Sequence, residues 1–234
     1  MNLTAARRYW DRHASTDPMW AILTASDKRG GGWSAEEFFA TGVAEVAYLM
    51  DRTTRWGCPR GRRQALDFGC GVGRITQPLG DYFEKVYGVD ISLGMLDLAR
   101  RHNRKGDRCE YEWSGGDLRR FANASFDLIY SRLTLQHIRP REVRSYLKEF
   151  LRLLAPGGLL YFQYPSCALR AQLEFRLARI SWRLLQTQSP MYINGMNRDR
   201  VVALLERNGG TIVEIENDPA AGAKYASYAY AVTA

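Results

Sequence analysis

From residue 61 onward, short apolar runs alternate with segments whose apolar positions recur at helical spacing. The runs "RQALDF", "KVYGVD", "CEYEWSGGD", "SFDLIYSR" and "LLYFQYP" read as strands. Helices are predicted from Arg74 to Phe83, from Leu93 to Asn103 and over "PREVRSYLKEFLRLLAPGG", which starts on a proline and stops at Pro-Gly-Gly. A further helix over "ALRAQLEFRLARISWRLL" carries Leu169, Leu173, Leu177, Ile180 and Leu184 on one stripe. The helix "NRDRVVALLERNGG" and two strands, "TIVEIEN" and "YASYAYAVTA", complete the chain. Residues 1–60 read as helical, from Leu3 to Arg12 and from Ala35 to Met50, with "TDPMWAI" and "SDKRGGGW" as breaks. Strand–helix alternation implies an α/β fold, a mostly parallel sheet of seven strands with helices on both faces. The final two strands have no helix between them and should form an antiparallel hairpin at the sheet edge. Ligands of such sheets bind at the carboxyl ends of the strands.

That places "ALDFGCGVGRI", residues 65–75, in the binding crevice. Its glycines, Gly69, Gly71 and Gly73, are spaced G-x-G-x-G, whereas dinucleotide sites use G-x-G-x-x-G. Arginine stands at position 74, where the third fingerprint glycine would fall. Asp67 precedes the glycines at the strand's end, where a carboxylate repels phosphate and suits an ammonium group. Asp90 closes the second strand in "GVDIS" and can accept both hydroxyls of a ribose. Asp117 in "GGDL" closes the third strand, within reach of an adenine amino group. Acids at the ends of successive strands describe an adenosine that carries positive charge.

These segments resemble the class I S-adenosylmethionine-dependent methyltransferases, a Rossmann-like family. "LDFGCGVGR" is similar to that family's first motif, "VYGVDISLGMLDLAR" to its second, "GGDL" to its third and "FDLIYSRLTLQHI" to its fourth. "LLAPGGLLYF" follows as in the family, and the resemblance covers about residues 60–165. It implies S-adenosylmethionine as cofactor and S-adenosylhomocysteine as product. By the same resemblance, Asp67 and the backbone from Gly69 through Cys70 to Gly71 would hold the methionyl part, and Asp90 the ribose. Ile91 and Met95 would flank the adenine, Asp117 and Leu118 would meet its edge, and Ser131 would approach the methionine through its backbone. The expected organisation is one domain over 1–234. It comprises a helical cap (1–60), a cofactor-binding core (61–165), an acceptor-side lid (166–200) and a final helix and hairpin (201–234).

The acceptor is narrowed by what is missing. The Asn/Asp-Pro-Pro-Tyr/Phe segment of amine-methylating nucleic-acid enzymes is absent after the fourth strand, which continues "YSRLTLQ". There is also no proline–cysteine nucleophile for cytosine chemistry. The net charge of +8 comes mainly from arginines dispersed along the chain, so an RNA target is the secondary reading. The leading expectation is O-methylation of a sugar or secondary-metabolite hydroxyl, with small-molecule N- or C-methylation as the alternative. His137, just after the fourth strand, is the candidate general base for a hydroxyl, and the alternative is that it packs beneath the cofactor. His13 in the cap is a second candidate, and His102 is expected on a solvated helix surface. An already nucleophilic acceptor would need only positioning.

Tyr9, Trp10, Trp20, Trp33, Phe38 and Phe39 make the cap aromatic, which suits either a ring-shaped acceptor or a plain helical core. Arg176, Arg179 and Arg183 beside the leucine stripe of 168–186 read as a solvated face. Four cysteines and three histidines show no ligand spacing, so no metal is expected and the thiols read as reduced. With no long apolar stretch and no secretion-signal core at the start, no membrane span and a cytoplasmic location are expected. The pattern leaves oligomeric state open.

Overall fold

The computed structural model describes residues 3–166, 193–222 and 224–234. The acceptor-side helix expected over 168–186 therefore lies outside the described residues. Seven strands form one sheet in the order β3-β2-β1-β4-β5-β7-β6. They are β1 (Gln64–Phe68), β2 (Lys85–Asp90), β3 (Cys109–Trp113), β4 (Phe126–Ser131), β5 (Leu154–Pro165), β6 (Thr211–Asn217) and β7 (Ser227–Thr233). β1 to β5 run parallel, and β7 lies antiparallel between β5 and β6. The expected hairpin is therefore present at the edge, with β6 outermost.

Neighbouring residues of each inner strand supply opposite cores, as the two-residue repeat of a strand requires. Leu66 and Ile129 join Phe126, Leu147 and Phe150 on one face. Ala65 and Leu128 join Val46, Val86 and Leu96 on the other. The helices are α1 (Leu3–Thr16), α2 (Pro18–Ile22), α3 (Ala35–Trp56), α4 (Thr76–Leu79), α5 (Leu93–His102), α6 (Pro140–Leu153) and α7 (Arg198–Glu206).

Several boundaries differ from the pattern. "TDPMWAI" is not a break: Asp17 accepts a hydrogen bond from Trp20 N, and Pro18 starts a short helix. α3 runs on to Trp56 before Gly57 ends it at φ 65°. It starts with a capping box between Ser34 and Glu37. The helix expected from Arg74 to Phe83 shrinks to four residues, Thr76–Leu79. α6 stops at Leu153, and "APGG" already belongs to β5, where the pairing with β4 shifts register. Hydrophobic pattern locates these elements, while caps and turns decide their ends.

Candidate functional site

The chain crosses from the β1–β2–β3 side to β4 at one point of the sheet, and a crevice opens there at the carboxyl ends of β1 and β4. It holds a cavity of about 1070 Å³. Of the residues singled out in the sequence, Asp67, Gly69, Cys70, Gly71, Asp90, Ile91, Met95, Asp117 and His137 all line it.

The glycine loop is shaped by close approaches. Gly69 and Gly71 adopt φ 81° and 54°, which favour glycine. A Cβ on Gly69 would come within 2.2 Å of the Thr134 side chain, and one on Gly71 within 2.7 Å of Ile22 Cδ1. The N–H groups of Gly69 and Cys70 both donate to Val89 O (2.8 and 3.1 Å). That of Gly71 donates to Asp90 Oδ2 at 3.0 Å. Three successive amides are thus spent on β2, and the loop presents no anion-binding nest of the kind that cradles a pyrophosphate.

Asp67 is 3 % exposed and accepts from Thr76 Oγ1 at 2.6 Å. Burial pushes its carboxyl up to about 7. A cationic partner would restore the ionised form. Asp90 accepts from Gly71 N and, through Oδ1, from Ser92 N (2.8 Å). Burial raises its carboxyl while these amides oppose the rise. Each of its oxygens retains acceptor capacity for a diol. Met95 and Ile91 stand beside it, and the Ile91 carbonyl accepts from Trp113 Nε1. The donor set fits S-adenosylmethionine: carboxylates for an ammonium and a ribose, and no cradle for phosphate.

Two of the expected residues turn their side chains away from the cavity. Leu118 is fully buried in the core beside Phe126 and Ile129, and it is not among the cavity-lining residues. Ser131 is fully buried too, its Oγ donating to Phe68 O at 3.0 Å, which ties β4 to β1. Asp117 reaches the cavity wall, but Arg119 pairs with it at 2.9 Å and holds its carboxyl below the usual range. Burial pushes the Cys70 thiol well up, so it is a packing group.

His137 lies in a single turn, Leu135–His137, directly beyond β4, with its ring edge-on to Trp10 at 5.3 Å. Its Nε2 stands 3.3 Å from Gln136 Nε2. His13 packs on Tyr9 and Trp10 and is not among the cavity-lining residues. His102 is not solvated as expected: it is half-buried against Phe39, and burial lowers its imidazole.

The wall continues through two of the cap aromatics, Trp10 and Trp33, and through residues that no motif singles out. Trp10, Ile22, Leu23 and Trp33 descend from the cap, and Arg132, Gln136 and Pro219–Gly222 close the far end. α1 is fastened over α5 by Asp11, whose Oδ1 accepts from Ser92 Oγ (2.7 Å) and Gly94 N (3.3 Å). Behind the wall, Glu45 on α3 accepts from Arg74 (2.9 Å), Arg132 (3.0 Å) and Tyr130 OH. Arg132 also binds Asp218 through two contacts of 2.9 Å. Arg74, the residue that breaks the dinucleotide spacing, is thus a buried ion-pair partner. Its position in a glycine motif was the available signal for this.

Among the described residues no group of three or more His, Cys, Asp or Glu could hold a metal ion. No helix among them is long and apolar enough to cross a membrane.

Residues 66–162 match the family model described as a methyltransferase domain. A ubiquinone biosynthesis O-methyltransferase of Ruegeria sp. (strain TM1040) is 26% identical over 172 residues, 71% of this chain and 68% of that protein. Phosphoethanolamine N-methyltransferase 3 of Arabidopsis thaliana is 32% identical over 99 residues, 41% of this chain but only 20% of its own length. The fold matches the crystal structure of magnesium protoporphyrin IX methyltransferase from Synechocystis PCC 6803 with bound S-adenosylhomocysteine. The TM-score is 0.68 at 16% identity, covering 99% of each chain.

Proposed function

Since residues 66–162 match a methyltransferase domain and the fold is that of a structure solved with bound S-adenosylhomocysteine, we propose that the chain uses S-adenosylmethionine to methylate a hydroxyl oxygen of a small molecule, a sugar or secondary metabolite. When bound, S-adenosylmethionine supplies the methyl group. Asp90 would take the ribose, Asp67 and the loop from Gly69 to Gly71 the methionyl part, and Ile91 and Met95 the adenine faces. The Asp117 and Leu118 backbone would meet the adenine edge.

The observation that carries the small-molecule reading is the lining of the cavity beside the cap. The cap lays Trp10, Ile22, Leu23 and Trp33 over a chamber whose other wall bears Arg132, Gln136 and His137. A concave apolar chamber with a few polar groups is built for one compact ligand. The arginines that line it are paired, Arg74 and Arg132 with Glu45, Arg132 also with Asp218, and Arg119 with Asp117. They add little net attraction for a polyanion. The match over 172 residues to a ubiquinone biosynthesis O-methyltransferase supports oxygen as the acceptor atom. His137 is the only histidine among the described cavity-lining residues, which supports a role for it beside the acceptor.

The test is a panel of hydroxylated and amine small molecules and RNA, incubated with methyl-labelled cofactor. Label is expected in an O-methyl product of a small molecule. Label confined to amines would support the N-methylation suggested by the phosphoethanolamine relatives. Label confined to RNA, with binding that weakens steeply as salt rises, would overturn the small-molecule reading.

A further inference from the structure

A short chain of amide contacts runs from the backbone to His137. Leu133, two residues beyond the end of β4, takes φ 63° and donates its N–H to Gln163 Oε1 at 3.2 Å. A backbone N–H can only donate, so the oxygen end of Gln163 is the end that faces it. Its Nε2 is then turned to Ser227 Oγ (2.5 Å) and Gln136 Oε1 (3.3 Å). That contact in turn leaves Gln136 Nε2 facing His137 Nε2 at 3.3 Å. Flipping either glutamine would set two donors face to face. Both are buried, at 0% and 5% exposure, which keeps water from repairing the mismatch. His137 Nε2 therefore accepts, and a neutral imidazole that accepts at Nε2 keeps its proton on Nδ1.

The consequence is chemical. With its Nε2 lone pair facing the Gln136 amide and its Nδ1 protonated, the ring takes up a proton only by giving up that contact. Protonating it would press an Nε2–H against the Gln136 amide hydrogens. Among the described residues, the carboxylates lining the cavity have partners as well. Asp67 is held by Thr76, Asp90 by two backbone amides, and Asp117 by Arg119. Glu142 is held by Arg139 and Glu149 by Arg152.

We propose that the Leu133–Gln163–Gln136 relay holds His137 as a neutral Nδ1–H imidazole, a positioning residue and not a base. The acceptor is then an acidic hydroxyl, a phenol or enol that ionises in water near neutral pH. This rests on the oxygen-methylation reading above and narrows it away from sugar alcohols. The hydroxyl proton goes to solvent first. The acceptor oxygen's lone pair then forms the new O–CH₃ bond as the methyl–sulfur bond breaks, and that bond's electrons stay on sulfur. Trp10 beside His137, and Trp33, whose Nε1 is satisfied by Leu23 O, give the chamber flat apolar walls for a planar ring.

Nitrogen-15 spectra of the histidines test the relay without any acceptor. The His137 signal would be assigned by its loss in His137→Ala, and Gln136→Leu would break the last link. In the unmodified protein His137 should show Nδ1–H with unprotonated Nε2 well below its ordinary titration near 6.5. Gln136→Leu should restore mixed tautomers and ordinary titration. An Nε2–H or protonated ring at neutral pH in the unmodified protein would overturn the relay.

Rates over a series of phenols of graded acidity test the acceptor class. The pH midpoint should move with each phenol's own pKa, and sugar alcohols should react at least about 10²-fold more slowly, the scale a missing base costs. A midpoint fixed for every acceptor, or sugar alcohols methylated as fast as phenols, would overturn the proposal. Turnover of amines alone, with the tautomer as described, would defeat the hydroxyl reading and leave the relay standing.

Discussion

The two ends of the cavity are built from different material. At the cofactor end the walls are backbone and short side chains: glycines pressed against Thr134 and Ile22, amides tied to β2, and two buried aspartates. At the acceptor end they are long side chains drawn from the cap, the segment beyond β4 and the β6–β7 connection, held by ion pairs and glutamine contacts. A ligand whose shape is common to many proteins can be met by backbone geometry. One that differs from protein to protein is met by side chains on loops, where substitution leaves the sheet intact.

The sharpest way to break that contrast is Glu45→Ala. It would leave Arg74 and Arg132 without their shared partner, at a cost of about 3–5 kcal/mol, as for other broken buried pairs. Denaturant unfolding should report the loss. The two arginines outweigh the burial of Glu45 and hold its carboxyl below the ordinary range. Its contribution is therefore present above the ordinary pKa and should fade as pH falls through and below the usual carboxylate range. A change within about 0.5 kcal/mol, the scatter of surface substitutions, would mean that the network does not hold the wall.

At the cofactor end, Asp90→Ala should weaken S-adenosylhomocysteine binding by about 1.5–3 kcal/mol, the scale of hydrogen bonds to a charged group. Calorimetry reads it directly, and unchanged affinity would remove Asp90 from the ribose site. Asp67 gives a pH signature of opposite sign to that of Glu45. Its raised folded pKa of about 7 means a contribution fully present below the unfolded value and lost as pH rises through 7. Unfolding curves of the unmodified protein should carry this loss, and those of Asp67→Asn should lack it. Asp11→Ala, which removes two hydrogen bonds between cap and α5, should cost about 1 kcal/mol. Added EDTA should leave turnover unchanged, and a loss restored by magnesium would reveal a missed site.

The same contrast explains what could be read in advance. The parallel sheet, the terminal hairpin and the acids Asp67 and Asp90 follow from local signals, because strand ends and glycine turns are written in contiguous residues. Leu118 and Ser131 turn their side chains into the core, because a motif fixes where the backbone passes and not which face a side chain takes. The Glu45–Arg74–Arg132–Asp218 network joins residues far apart in the chain. No periodicity carries such a pairing. Gln163 looked like an ordinary strand residue, and only its opposition to Leu133, Gln136 and Ser227 gives it a role.

The measurement that tests the account most directly is calorimetric titration of the unmodified protein with S-adenosylmethionine, S-adenosylhomocysteine and NAD. Amides spent on β2 and carboxylates facing the cavity predict that both sulfur compounds bind, with no comparable heat from NAD. Binding of NAD in place of the sulfur compounds would contradict the cofactor assignment and the reading of the acceptor end built upon it.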